Sequence, residues 1–168
     1  WVVDIRIIVP ELHIFRFTPS YRTIYINTNQ VKPEEAPKSW FDLLNPRWKG
    51  KIMVNDPTIS SGEYLTFIPM LNQKVIDLEY LRALGRQDLQ FTTGNVQSTE
   101  KLARGEFPLA DNSESSGAKL VREGAPIKAL DLKEGAVGVS GGVMVLKNSP
   151  HPNAAKLYLN WLLSPEGD

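Results

Sequence analysis

The residues able to do chemistry in this chain are small and neutral, and they stand between strand-like and helix-like segments. Ser60-Ser61-Gly62 follows a segment ending near Asn55, Gly94-Asn95 one near Phe91, and Asn112-Ser113 one ending at Asp111; Ser140-Gly141-Gly142 precedes Val143. Such residues are the ordinary caps and turns of helices. They are also ligand donors. Serine hydroxyls and asparagine amides donate without charge, and a helix start adds open backbone N–H groups and the positive end of its dipole. Convergence on one edge would separate an anion cradle from a set of unrelated caps. Tyr21 and Arg22 stand in a strand pattern just before the break at Asn27-Thr28-Asn29. Two readings of Arg22 stand open: a bidentate grip on a ligand carboxylate or phosphate, or an exposed arginine on an alternating strand.

Groups for covalent or acid–base catalysis do not assemble in the sequence. Of the two histidines, His13 lies within a strand pattern and His151 between two prolines. Neither has a motif that links it to a nucleophile. Asp111 and Glu114, three apart, read as surface charges. No enzyme activity, catalytic residue, cofactor or metal site is expected. The absence of cysteine excludes a disulfide framework, a thiolate zinc site and a cysteine nucleophile. The 19 basic and 19 acidic residues cancel, which argues against an extended basic surface for nucleic acid. An anion must then be held by local dipoles and not by long-range steering. With 168 residues and 42% hydrophobic content, the chain is long enough to bury a proper core. No apolar run approaches the roughly 20 residues of a membrane span.

The elements that must position these groups alternate. Residues 12–17 and 21–27 predict two strands separated by Pro19-Ser20. Ser39 predicts the cap of a short helix, with Asp42 three positions on and Asn45-Pro46 at its end. A strand follows at 51–55, then a helix from Gly62 that Pro69 should kink or end early. Asp77 caps the next helix, with Gly85 at a left-handed end. Residues 90–92 predict a strand, Gly94-Asn95 a helix start, and Gly105 its close. A strand at 107–110 leads to a helix capped by Ser113 and ended by Gly124. Strands at 127–132 and 143–146 precede a last helix opened by Pro152, with a face of Ala155, Tyr158, Leu159, Trp161 and Leu162. Trp40, Trp48 and Trp161 are expected in packing positions. Strands separated by helices indicate an α/β layered fold, not a sandwich or a bundle.

Three segments together resemble the solute-binding proteins of ABC importers, in the class that includes the ferric-ion binders. The first is Tyr25-Ile26-Asn27-Thr28-Asn29 with Val31-Lys32-Pro33 and Pro37-Lys38-Ser39-Trp40-Phe41-Asp42-Leu43-Leu44. The second is Trp48-Lys49-Gly50-Lys51-Ile52 with Asp56-Pro57 and Ser61-Gly62. The third is Ser149-Pro150-His151-Pro152 with Ala154-Ala155-Lys156 and Leu162-Leu163-Ser164-Pro165-Glu166-Gly167. The likeness runs from about Tyr21 to the end of the sequence.

The resemblance implies a type II periplasmic-binding-protein-like α/β fold, with a mixed sheet flanked by helices, and here one lobe plus crossover segments. Residues 1–30 would be a first-lobe remnant and crossover strand, 31–126 the second lobe, and 127–168 the return to the first lobe. The chain begins at Trp1, with no initiator methionine and no signal peptide, and is expected to be part of a longer protein. Ser61 and Gly62 match the helix start that holds an anion in ferric binders, and Asn95 and Asn112 match that family's anion-binding amides. Ferric binders place adjacent tyrosines after the position of Asn112. This chain has Ser113, Glu114, Ser115 and Ser116 there, and hydroxyls replace phenolates poorly as Fe(III) ligands. Glu114 either faces a cationic or amine group or complements the helix dipole. The implied function is capture of a small polar or anionic solute or metal complex for an ABC permease, in the periplasm or outside the cell, where a cysteine-free chain is at home. The alternative is an extracytoplasmic sensory domain of the same fold. Apolar surface on 143–146 and 158–163 is expected to be exposed and to drive self-association.

Overall fold

The structure, a computed structural model, describes residues 8–9, 14–59 and 62–166. Among them, seven strands form one sheet: β1 (Ile8–Val9), β2 (Ile14–Asn27), β3 (Ile52–Asn55), β4 (Gln90–Thr92), β5 (Leu109–Ser113), β6 (Ile127–Ala129) and β7 (Val137–Val143). The α-helices are α1 (Gly62–Asn72), α2 (Leu78–Gly85), α3 (Asn95–Ala103), α4 (Glu114–Arg122) and α5 (Pro152–Leu162). The strand order is β1-β2-β5-β3-β4, and β6 and β7 also pair with β2. β3 runs parallel to β4 and β5, while β2 is antiparallel to β1, β5 and β6. The sheet is therefore mixed, and the expected α/β architecture is present.

The chain divides into two compact units: Tyr21–Val139 is one, and Trp1–Ser20 with Ser140–Asp168 is the other. The first is built in three layers, and strand alternation explains why. Ile24 and Ile26 of β2, Ile52 and Val54 of β3 and Leu109 of β5 join a core with Trp40, Leu43, Met70, Tyr80 and Leu84. The intervening residues, Tyr25, Met53 and Ala110, join a second core with Leu102 of α3 and Ile127. Successive side chains point to opposite faces, so a sheet covered by helices on both sides needs apolar residues at every position.

Short polar signals fix the ends of these elements. The Ser39 hydroxyl accepts from the Phe41 amide, and Asp42 accepts from the Ser39 amide, closing a capping box on a 3-10 helix at Trp40–Leu44. Asn45 ends that turn and caps a second one at Pro46–Trp48. Glu134 reinforces the first cap, accepting from Ser39 Oγ at 2.7 Å and the Trp40 amide at 3.0 Å. Burial pushes the Glu134 carboxyl up, and these hydrogen bonds outweigh it, leaving its pKa below the usual glutamate value. Asp77 caps α2 through the Tyr80 amide. Gly105 closes α3 at φ +76°, a conformation that favours glycine.

Several expectations change. β2 is one strand through Pro19-Ser20: Pro19 lies between the stretch paired with β1 and the stretch paired with β5. α1 continues three residues past Pro69, because proline removes one hydrogen bond while Met70 beside it is anchored in the core. Gly85 is the last residue of α2 and not left-handed; the positive φ falls at Asp88 instead. β5 starts at Leu109, after Pro108, and extends to Ser113 because β2 pairs with it that far. β6 stops at Ala129. The glycine-rich stretch at 138–142 lies in β7 and not in a turn, since pairing with β2 overrides local preference. His13 lies outside the described residues.

In the second unit, α5 begins at Pro152 as expected and buries Leu159. Trp161 is 50% exposed rather than packed, its ring beside that of Tyr158, and Leu157, Met144 and Leu146 are exposed as well. The expected exposure of apolar surface on these segments is present.

Candidate functional site

β3, β4 and β5 are parallel, so their carboxyl ends share one edge of the sheet. Each is followed by a helix: α1 starts at Gly62, α3 at Asn95 and α4 at Glu114. Three helix starts therefore leave the same edge, the position at which open α/β sheets bind ligands. Ser60 and Ser61 lie outside the described residues.

A buried polar network wraps around this edge. On one face, Arg22 of β2 donates through Nε to Thr66 Oγ1 of α1 at 2.7 Å. Its Nη2 lies 3.4 Å from Asp111 Oδ2 of β5, and Thr66 Oγ1 donates to the same oxygen at 3.1 Å. Arg22 Nη1 reaches the start of α3, donating to Asn95 Oδ1 at 3.2 Å. On the other face, Asn112 Nδ2 donates to Thr99 Oγ1 at 2.5 Å, and Thr99 Oγ1 donates to the Asn95 carbonyl at 2.6 Å. At the strand ends, Asn55 Nδ2 donates to Asn95 Oδ1 at 2.6 Å, and Thr92 Oγ1 donates to Asn55 Oδ1 at 3.0 Å. Asn95 is thus the junction of both faces.

Two expectations about charge are overturned. Arg22 is not an exposed strand residue; it is 3% exposed. Asp111 is not a surface carboxylate; it is fully buried, because β5 runs three residues past the expected strand at 107–110 and carries it into the sheet. Burial pushes its pKa up, and the Arg22 guanidinium opposes that shift. The two charges offset each other, so the floor of the site carries little net charge while Asp111 is ionised.

The other anticipated residues separate. Asn95 is partly buried and central, and Gly62 stands at the start of α1. Asn112 is completely buried, and its amide is engaged inside the chain: Nδ2 with Thr99, Oδ1 with the Ser113 amide. Glu114 is exposed at the first turn of α4; burial raises the Tyr25 hydroxyl's pKa, and the Glu114 charge adds to that shift. Tyr21 is 41% exposed, on the strand face opposite Arg22. Ser113 occupies the cap position of α4, but its hydroxyl pairs with those of Ser115 and Ser116 and not with the helix backbone.

Asn55, Thr66, Thr92 and Thr99 were not legible as members of this network. Asn55 carries a weak signal, as the polar residue that ends an apolar strand; Thr92 ends β4 after Gln90 and Phe91 and carries less. Thr66 and Thr99 carry none, being single threonines within helices. Gly138-Val139-Ser140-Gly141-Gly142 has the spacing of a nucleophile elbow, but it runs inside a strand with no helix directly after it. Among the described residues, no group of three acidic or histidine side chains is placed to hold a metal ion.

Residues 14–168 match the family described as bacterial extracellular solute-binding protein. The chain belongs to that family. A Haemophilus influenzae protein of undescribed activity is 32% identical over 148 residues, covering 84% of this chain and 42% of its own length. Among solved structures, the periplasmic binding protein P5PA superposes with a TM-score of 0.77 at 26% identity, over 92% of this chain and 50% of its own. The periplasmic binding protein AfuA from Actinobacillus pleuropneumoniae, with fructose-6-phosphate bound, does so with a TM-score of 0.77 at 28% identity and the same coverage. The chain thus spans about half the length of these relatives. The family and these two neighbours are binding proteins, in line with the resemblance read from the sequence.

Proposed function

We propose that this chain supplies one lobe of a periplasmic or extracellular solute-binding protein that captures a small anionic solute, a phosphate ester foremost, for an ABC permease. Residues 31–126 form the body of that lobe, with the flanking segments as crossovers. Gly62 and Asn95 stand around the ligand at the starts of α1 and α3, and Glu114, in the first turn of α4, complements that helix's dipole at the rim. Tyr21 borders it, while Arg22 and Asn112 hold the site from behind.

The observation that carries this reading is the convergence of three helix starts on one edge, over a floor whose buried charges offset each other. Such a site offers backbone N–H groups, dipoles and amides, which suit an oxyanion. The sugar phosphate held by AfuA at 28% identity supports the same ligand class. Ser113, Ser115 and Ser116 supply hydroxyls, which also fit phosphate oxygens better than ferric iron.

The test is calorimetric titration of the chain with phosphate, fructose-6-phosphate, carboxylates, amines, ferric citrate and neutral sugars. Saturable binding confined to anions is the expected result. A folded protein that binds none of them, or prefers amines, refutes the proposal.

A further inference from the structure

Hydrogen-bond polarity in the network is set at one end. Arg22 carries only donors, so the Asn95 atom that meets its Nη1 must be the oxygen. Asn55 meets that same oxygen, so it must present its –NH2, and its own oxygen then turns to the Thr92 hydroxyl. Two amides that could each stand either way round are fixed in series by one guanidinium. Arg22 is itself held by Thr66 and by Asp111. The –NH2 of Asn95 remains on the other side of its planar amide, and no acceptor for it is found among the described residues.

We infer that Arg22 is a positioning residue that makes Asn95 an obligate donor, so that the site selects ligands bearing an acceptor oxygen and rejects ammonium groups. This rests on the solute-binding reading above and goes beyond it. Arg22 acts through Asn95 rather than touching the ligand, although an arginine beside an anion site invites the opposite assumption. The buried charge of Asp111 serves to hold Arg22 in place.

Inorganic phosphate is the probe, titrated into the chain and followed by the backbone amide signals at the starts of α3 and α4, to concentrations that saturate the weakest variant. Arg22→Met combined with Asp111→Leu removes both buried charges together, which a fold tolerates better than losing one. It should weaken phosphate binding about tenfold, the usual effect of losing one hydrogen bond to a charged partner. In an Asn95→Ala background the same pair of changes should alter binding less than about twofold, because the residue through which Arg22 acts is gone. A purely structural role would lower affinity equally in both backgrounds. Asn95→Asp keeps the acceptor for Arg22 and Asn55 and inverts only the outward atom; it should preserve folding and weaken phosphate binding more than about tenfold. Equal losses in both backgrounds, or full phosphate binding by Asn95→Asp, overturn the inference while leaving the solute-binding reading intact. No phosphate binding by the unsubstituted chain overturns both. If the double substitution fails to fold, Asn55→Leu, which removes the second donor to Asn95, takes its place: a loss confined to the native background supports the inference, and equal losses in both backgrounds overturn it.

Discussion

Gly117→Ala tests how α4, and with it one of the three helix starts, is seated. Gly117 lies in the interior of α4 and is buried against the ring of Tyr25. A Cβ there would stand 2.5 Å from Tyr25 Cζ and 2.7 Å from its Oη, and closer still to Cε1. Alanine in a helix interior gains roughly 1 kcal/mol over glycine. Overpacking a tight core costs about 1–3 kcal/mol, and the top of that range applies because Tyr25 is only 3% exposed and its ring has nowhere to withdraw. The net expectation is a loss of about 2 kcal/mol, or a fall in melting temperature of roughly 4–8 °C for a chain of this size. Urea and thermal unfolding followed by tryptophan fluorescence measure it. In a Tyr25→Leu background the same substitution should become neutral or stabilising, since the ring it strikes is gone. An unchanged or raised midpoint in the native background would show that α4 does not rest on Tyr25 as described.

Further outcomes are expected elsewhere. Asn27, almost fully buried, donates from Nδ2 to the Leu102 carbonyl at 2.8 Å and accepts the Asn29 amide at 2.9 Å. Asn27→Leu should therefore cost about 1–3 kcal/mol in chemical denaturation, and a change within about 0.5 kcal/mol would contradict its anchoring role. The Glu134 pKa is lower in the folded state, so its contribution to stability is present above the ordinary glutamate pKa and disappears as pH falls through the lowered folded value. Glu134→Gln should flatten the melting-temperature profile in that acid window, and an identical profile would contradict the cap. Leu157, Tyr158 and Trp161 are exposed on α5, and light scattering should show mass rising with concentration, reversed by Trp161→Glu. A constant monomer mass over a wide concentration range would refute the association.

Much of the fold was readable because its signals are local. The Ser39–Asp42 capping box, the Asp77 cap, Gly105 and Pro152 each act within a few residues, and all fall where the sequence puts them. Pairing between distant strands was not readable. β2 passes through Pro19, and β7 forms from glycine-rich sequence, because partners supplied by the rest of the chain settle both. The site divides in the same way. Asn95 and Gly62 announce themselves as helix starts, whereas the burial of Arg22 and Asp111 depends on β2 and β5 lying side by side with Ile24 opposite Asp111. Thr66 and Thr99 become meaningful only when their helices are laid on the sheet.

The unit from Tyr21 to Val139 is one unbroken stretch of chain, entered and left once. Its ends are neighbours, for the ring of Tyr21 lies within 4 Å of the position a side chain at Gly138 would occupy. A segment whose ends meet behaves as a cassette. Ends that lie together are the geometry in which a segment can be closed by a short linker, or seated in an exposed loop of a host protein, without stretching the chain. The paired strands that carry the chain in and out thus also mark where an engineer would place the scissors.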